Sequence, residues 1–251
     1  MAKTILVYTD LNKVWPKVRK AANWWQLRLW AYLKYTMASL LRQTDQDFYR
    51  ILRCQPGTEE LLAPYLPALE AGKVYTVFDD GAQLVASLPE SVSHVHTVRI
   101  DSDDLYGPEA IAAVRRWHNS EPGAQFYNGW YHSPGTTTVS RYVYRSPPCY
   151  VIRCQREGGQ LRLPIPFFGH TAFRRVYRPV RLPDGLFMTL RFTIPGFHSM
   201  ARVPGGWMRA VEDPSLHAAV LAQYQVNAER HPGGEVVTAA ISQLATSLKI
   251  P

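Results

Sequence analysis

Cysteine is scarce. The 251 residues include only three, Cys54, Cys149 and Cys154, an odd number without CxxC spacing. That excludes a disulfide framework and a Cys-ligated zinc site. Long apolar runs are missing too: none approaches the ~20 residues of a membrane-spanning helix. The stretch Met1 to Asp10 turns polar too soon for a secretory signal. GxGxxG, the P-loop, GxSxG and HExxH are all lacking, which removes the common dinucleotide-binding, NTPase, hydrolase and metalloprotease motifs. Charged residues make up only 19% of the chain, while 46% is hydrophobic, too apolar for intrinsic disorder. The expectation is a soluble, reduced, cytoplasmic protein, long enough for one full-sized domain or two small ones.

The charge that is present is unevenly placed. The formal net charge is +8, and between Arg141 and Arg202 stand 11 Arg, no Lys and two acids, Glu157 and Asp184. The planar guanidinium fork suits bidentate pairing with phosphate or carboxylate, so this segment is expected to face something anionic. A basic surface kept for solubility is the alternative.

Hydrophobic periodicity gives the architecture. Thr4–Thr9 reads as a buried strand, 24–43 as an amphipathic helix and Asp47–Cys54 as a second strand. Thr58 opens a helix to Leu69. Lys73–Phe78 and His94–Ile100 are further strands, and Pro108–His118 is a helix with Pro in its first turn. Alternating strands and helices predict an α/β fold: a mostly parallel, Rossmann-like sheet flanked by helices. After Pro122 the pattern changes to strands over Gln125–Tyr131, Thr136–Tyr144 and Cys149–Gln155, then a Pro-punctuated stretch, with late helices at Asp213–Arg230 and Val236–Leu248. One domain over 1–251 is expected, with a βα half at 1–120 and an elaborated half at 121–251.

The chemistry concentrates in Val98–Leu105, VRIDSDDL. In an open parallel sheet ligands sit beyond the carboxyl ends of the strands, and Asp101, Ser102, Asp103 and Asp104 follow such a strand. Carboxylates two apart on a turn can converge on a hard divalent cation, Mg²⁺ or Mn²⁺. A second DxD, Asp45-Gln46-Asp47, precedes a strand and reads as a helix-exit turn. Asp79 and Asp80 end the third strand, either to read a nucleotide base or ribose or to make a turn with Gly81. Asp184 fits a Pro-Asp-Gly turn, or a catalytic base. Asp213 fits a helix cap, and the aromatic cluster Trp24, Trp25, Trp30 and Tyr32 fits core packing.

Three blocks in order, YTMASLLRQTDQDF (Tyr35–Phe48), TVRIDSDDLYGPEAI (Thr97–Ile111) and FYNGWY (Phe126–Tyr131), resemble a bacterial rhamnosyltransferase family within the nucleotide-diphosphosugar GT-A glycosyltransferases. The resemblance covers Tyr35 to Tyr131. It implies a GT-A-like fold and Mn²⁺- or Mg²⁺-dependent transfer from a nucleotide-diphosphate sugar donor to the hydroxyl of a glycan or other acceptor. Asp101 and Asp103 would hold metal and diphosphate, with His198 as a further metal ligand. Ser199 and Met200 follow that histidine where the family pattern has Gly and Asn. Arg99, Ser102, Asp104, Thr9 and Asp79 would bind the donor, and His170 would face the acceptor. DNA is not an expected partner; peripheral membrane contact stays open. Two rivals remain. A nucleotidyltransferase would carry a Gly-rich loop after the first strand, where Thr9-Asp10-Leu11-Asn12-Lys13 has no glycine. A non-enzymatic polyanion binder would use the Arg-rich segment without metal.

Overall fold

The computed structural model describes residues 4–11, 24–78, 84, 87–117, 121–143, 149–157, 160–161, 170–190 and 208–226. β1 (Thr4–Asp10) is apolar and β-branched, with its five central residues buried, as an internal parallel strand requires. The next helical segment runs through α1 (Trp24–Ala31), a π-helical segment (Tyr32–Met37) and α2 (Ala38–Leu41). β2 (Tyr49–Arg53) is followed by α3 (Glu59–Leu62), a 3-10 turn (Ala63–Tyr65), α4 (Leu66–Ala71) and β3 (Val74–Val77). Then come β4 (His94–Asp101), β5 (Asp104–Tyr106), α5 (Ala110–Arg116), β6 (Gly123–Phe126), β7 (Gly129–His132) and β8 (Val139–Tyr142). β9 (Tyr150–Glu157), β10 (Gln160–Leu161), α6 (His170–Tyr177), β11 (Val180–Leu182), β12 (Phe187–Leu190), β13 (Met208–Ala210) and α7 (Pro214–Tyr224) complete the described elements.

The fold is α/β, with the expected Rossmann-like sheet and flanking helices. Eight strands form one sheet in the order β11-β6-β9-β4-β1-β2-β3, with β10 on β9. β1 pairs parallel with both β2 and β4, and β2 with β3. The chain builds outward from β1 to β3, then crosses back to β4, so the order reverses between β1 and β4. β9 runs antiparallel to β4 and β6, and β11 runs parallel to β6. One face of the sheet packs Ile5, Val7, Val98 and Ile100 against Ile111 and Val114 of α5. The other packs Leu6, Tyr8, Tyr150 and Ile152 against Phe173 of α6.

The elaborated half is a second sheet of five strands, β13-β8-β7-β12-β5. The expected strand Gln125–Tyr131 is instead two, β6 in the large sheet and β7 in the second. The chain parts between them at Tyr127-Asn128, where Asn128 O accepts from Gly185 N at 2.5 Å. Gly129 permits that crossing, since a Cβ there would lie 2.5 Å from the Phe187 ring. β5, β11, β12 and β13 have only three or four residues each. That is too short for their period to stand out beside the surrounding prolines. α6 falls within the Pro-punctuated stretch, where the sequence pattern gives no helix. The expected helix Val236–Leu248 lies outside the described residues. No helix among the described residues is long and apolar enough to cross a membrane.

Candidate active site at the β1 and β4 strand exits

The acidic turn is where the chain passes from one sheet to the other. β4 ends at Asp101, Ser102 and Asp103 make the turn, and Asp104 opens β5. The helical segment before β2 grips this turn by hydrogen bonds. Thr36 Oγ1 donates to Asp104 O at 2.8 Å and to Asp101 O at 3.4 Å. Tyr106 N donates to Ser39 Oγ at 3.2 Å. Gln43 Nε2 donates to Gly107 O at 2.9 Å, while its Oε1 accepts from Ile111 N at 3.0 Å. Thr44 N donates to Pro108 O at 2.9 Å. Two of the three resembling blocks, some sixty residues apart, are therefore one hydrogen-bonded unit that fixes the backbone carrying the carboxylates.

The carboxylates line up by register. Asp101 is the direct partner of Asp10 across β4 and β1, and Asp10 is the partner of Arg53 across β1 and β2. Arg53 grips Asp10 through two parallel hydrogen bonds of 2.5 and 2.8 Å. Arg99 Nη2 lies 2.6 Å from Asp101 Oδ1, and Arg28 Nη1 of α1 lies 2.9 Å from Asp103 Oδ2. Each of these three carboxylates is matched by one guanidinium. Burial alone would make Arg99 a weaker base, but Asp101, Tyr150 and Asp10 beside it hold its pKa above the usual arginine value. The guanidinium also sits over the Tyr150 ring, 5.7 Å from its centroid.

Of the other expected donor residues, Thr9 ends the buried part of β1, 1% exposed, and Ser102 and Asp104 are fully buried. Neither Thr9 Oγ1 nor Ser102 Oγ has a hydrogen-bond partner among the described residues. Asp79 and His198 lie outside the described residues. His170 is the first residue of α6. Asp184 is exposed in the turn between β11 and β12, where Asn128 Nδ2 donates to its Oδ2 at 2.8 Å. Gly185 beside it has φ +74°. Arg28, Arg53 and Asp10 were missed. Asp10 was findable, since it ends the first strand as Asp101 ends the fourth. The arginines owe their roles to pairings 75 and 43 residues away, which no local pattern carries.

The donor chemistry suits a hard cation: oxygen ligands only, on a rigid turn. Among the described residues no group of three or more His, Cys, Asp or Glu could cage a metal. A cation at this turn would take one or two carboxylates and complete its shell with phosphate oxygens and water, the usual habit of Mg²⁺. The other DxD behaves differently. Asp45 and Asp47 both bind Arg115, with Asp45 Oδ1 3.0 Å from Arg115 Nη2, which fastens the helix exit to α5. Asp213 caps α7, accepting from Ser215 N at 2.8 Å. Trp30 and Tyr32 are buried in the core.

No family model and no curated protein matches the sequence. Among solved structures, the chain is similar to S. aureus TarS 1-349 in complex with UDP-GlcNAc. The identity is 11% and the TM-score 0.39, over 90% of this chain and 72% of that one. It is similar to the apo-form glycosyltransferase GlyE of Streptococcus pneumoniae TIGR4 at 10% identity and TM-score 0.37, over 100% and 65% of the two chains. It is also similar to the inositol-1-phosphate CTP transferase of T. maritima at 10% identity and TM-score 0.34, over 88% and 96%.

Proposed function

We propose that the chain is a glycosyltransferase that moves a sugar from a nucleotide-diphosphate sugar to an acceptor hydroxyl, using Mn²⁺ or Mg²⁺. The observation that carries this reading is the placement of Asp10 and Asp101 as register partners across the reversal of strand order. That crevice, outside the carboxyl ends of the strands, is where open α/β sheets take nucleotide ligands. Charge supports the same reading. Asp10, Asp101 and Asp103 are each paired with an arginine, Arg53, Arg99 and Arg28. A nucleotide-diphosphate sugar and a divalent cation carry opposite charges of equal size, so together they add no net charge to the site.

Asp101 and Asp103 would hold the cation, with the Arg99 and Arg28 pairs fixing the direction of each carboxylate. When bound, the cation stabilises the charge that grows on the leaving phosphate oxygen. Thr9 and Ser102 offer hydroxyls at the two strand exits, and Asp79 would read the nucleotide. His198 as a third ligand, His170 toward the acceptor and Asp184 as the base that takes the acceptor proton complete the proposal.

Thermal unfolding with UDP, GDP or dTDP, each with and without Mn²⁺, tests it. Stabilisation needing nucleotide diphosphate and cation together is expected, about 2.7 kcal/mol at a hundred times the dissociation constant. Stabilisation by polyanions alone, fading with salt and indifferent to cation, would overturn it.

A further inference from the structure

The proposed donor site uses only part of one face of the large sheet. Arg99 pairs with Tyr150, Tyr150 with Gln125, and Gln125 with Arg181, so the four form one row across β4, β9, β6 and β11. Residues paired directly across strands share a face, as do residues two apart along a strand. Asp101, two beyond Arg99, therefore lies on that same face at the exit edge, and Tyr127 follows the end of β6 at the same edge. Two strand spacings, roughly 10 Å, separate β4 from β6.

At that point the Arg181 guanidinium lies over the Tyr127 ring, 3.8 Å from its centroid. Arg181 is exposed, as are Arg175 on α6 and Arg178 at its end. None of the three has a carboxylate partner among the described residues, whereas the arginines at the donor site are paired. Gln125, between Tyr150 and Arg181, is 2% exposed, and its Nε2 has no hydrogen-bond partner among the described residues. An exposed guanidinium stacked on a ring, a further exposed arginine three residues before it and a buried amide donor without an acceptor among the described residues suit a planar or tetrahedral oxyanion.

We propose that Arg181 on Tyr127, with Gln125 and Arg178, is a subsite for an acidic group of the acceptor, a phosphate or a carboxylate. The acceptor is thus an anionic saccharide. This rests on the glycosyltransferase reading and adds the acceptor class to it. An acid bound here lies two to three strand spacings, roughly 10–15 Å, from the cation turn, room for a sugar ring between the charged group and the hydroxyl that attacks.

Fluorescence anisotropy with labelled dextran phosphate, labelled polygalacturonate and labelled neutral dextran tests the inference. Calorimetry of UDP with Mn²⁺ runs alongside on the same proteins. Wild type should bind an anionic polymer in preference to neutral dextran, and the polymer preferred identifies the acidic group. Arg181→Ala should weaken that binding about tenfold, a change of ~1.4 kcal/mol. Arg181→Lys, which keeps the charge but loses the planar fork, should fall between. Arg116→Ala serves as a control, since Arg116 is exposed on α5 beside Glu109. It should bind as wild type, and UDP binding should be equal in all four proteins. Unchanged binding in Arg181→Ala, equal binding of neutral dextran, or an equal loss in Arg116→Ala would each overturn the subsite. Arg181-dependent polymer binding by a protein that takes no UDP with Mn²⁺ would overturn its assignment to an acceptor. The same result would overturn the glycosyltransferase reading, whereas UDP binding without Arg181-dependent polymer binding leaves that reading standing and removes only the subsite.

Discussion

Asp10 and Asp101 face each other across adjacent parallel strands, and each carboxylate is held by a different arginine, Arg53 and Arg99. Two acids brought side by side by register would repel, and Arg53 and Arg99, one on each acid, offset that repulsion. Asp10→Asn breaks the bidentate pair and leaves Arg53, whose side chain is 3% exposed, without its counter-charge. The expected loss is about 1–3 kcal/mol of stability, read from the urea midpoint, together with weaker stabilisation by nucleotide diphosphate and Mn²⁺. Unaltered values in both measurements would show that the pair does not organise the site.

Gln43 shows how the carboxylates are aimed from a distance. Its amide is 4% exposed and joins Ser39 O, Gly107 O and Ile111 N. Gln43→Leu keeps the volume but takes the side-chain acceptor from Ile111 N, while Gly107 O keeps only its bond from Ala110 N at 3.1 Å. A destabilisation of about 1–3 kcal/mol is expected, the cost of one lost buried partner. Gln43→Glu, which restores an acceptor for Ile111 N but not a donor for Gly107 O, should fall between wild type and Leu in the same urea titration.

The first half of the chain was legible because its strands and helices are long enough for periodicity to show. Asp101 was legible because a strand buried along most of its length ends on it. The Asp213 cap and the Asp45 turn were legible because short polar side chains beside helix ends have few other uses. What local pattern could not carry was pairing over long sequence separations. Arg28 reaches Asp103, and β5 joins β12, through the tertiary fold. The Pro-punctuated stretch hid α6, whose Phe173 stacks on Tyr150 at 4.2 Å between ring centroids. Pro179 and Pro183 flank the three-residue strand β11.

The three cysteines are buried. Burial, with Asp10 and Glu59 nearby, pushes the Cys54 thiol up to about 12, and burial does the same for Cys154. Cys149 is raised too, by burial and by Asp104 and Asp101. A raised folded pKa means that the unfolded chain releases its thiol protons first. The stabilisation is complete below the unfolded value near 9.0 and is lost as pH rises from there toward 12. Native protein at pH 8 should therefore leave a disulfide reagent unreacted, while unfolded protein titrates three thiols. Stability should decline above pH 9, with a shallower decline in Cys54→Ala than in wild type.

The chain carries two DxD tripeptides, and the structure gives them opposite surroundings, so they should separate cleanly in experiment. Asp45 shares Arg115 with Asp47 and stands before β2, at the opposite ends of the strands from the acidic turn. Burial would raise its pKa, but the Arg115 hydrogen bonds, the Asp47 backbone amide and the Arg115 charge outweigh that and hold it below the usual carboxylate value. A depressed folded pKa gives stability that is present above the unfolded value near 3.8 and lost as pH falls through the lower folded one. Asp45→Asn should therefore lose about 1 kcal/mol at neutral pH, in keeping with a partly exposed ion pair, and the difference from wild type should vanish in strong acid. Its response to nucleotide diphosphate with Mn²⁺ should be intact. Asp101→Asn and Asp103→Asn should do the reverse: donor turnover and the joint ligand stabilisation disappear, while the folded state persists. If Asp103→Asn turns over donor as wild type does, the cation is not seated on the β4 turn. If Asp45→Asn abolishes the ligand response as thoroughly as Asp101→Asn, position after a parallel strand does not distinguish a ligand-bearing DxD from one that fastens a helix.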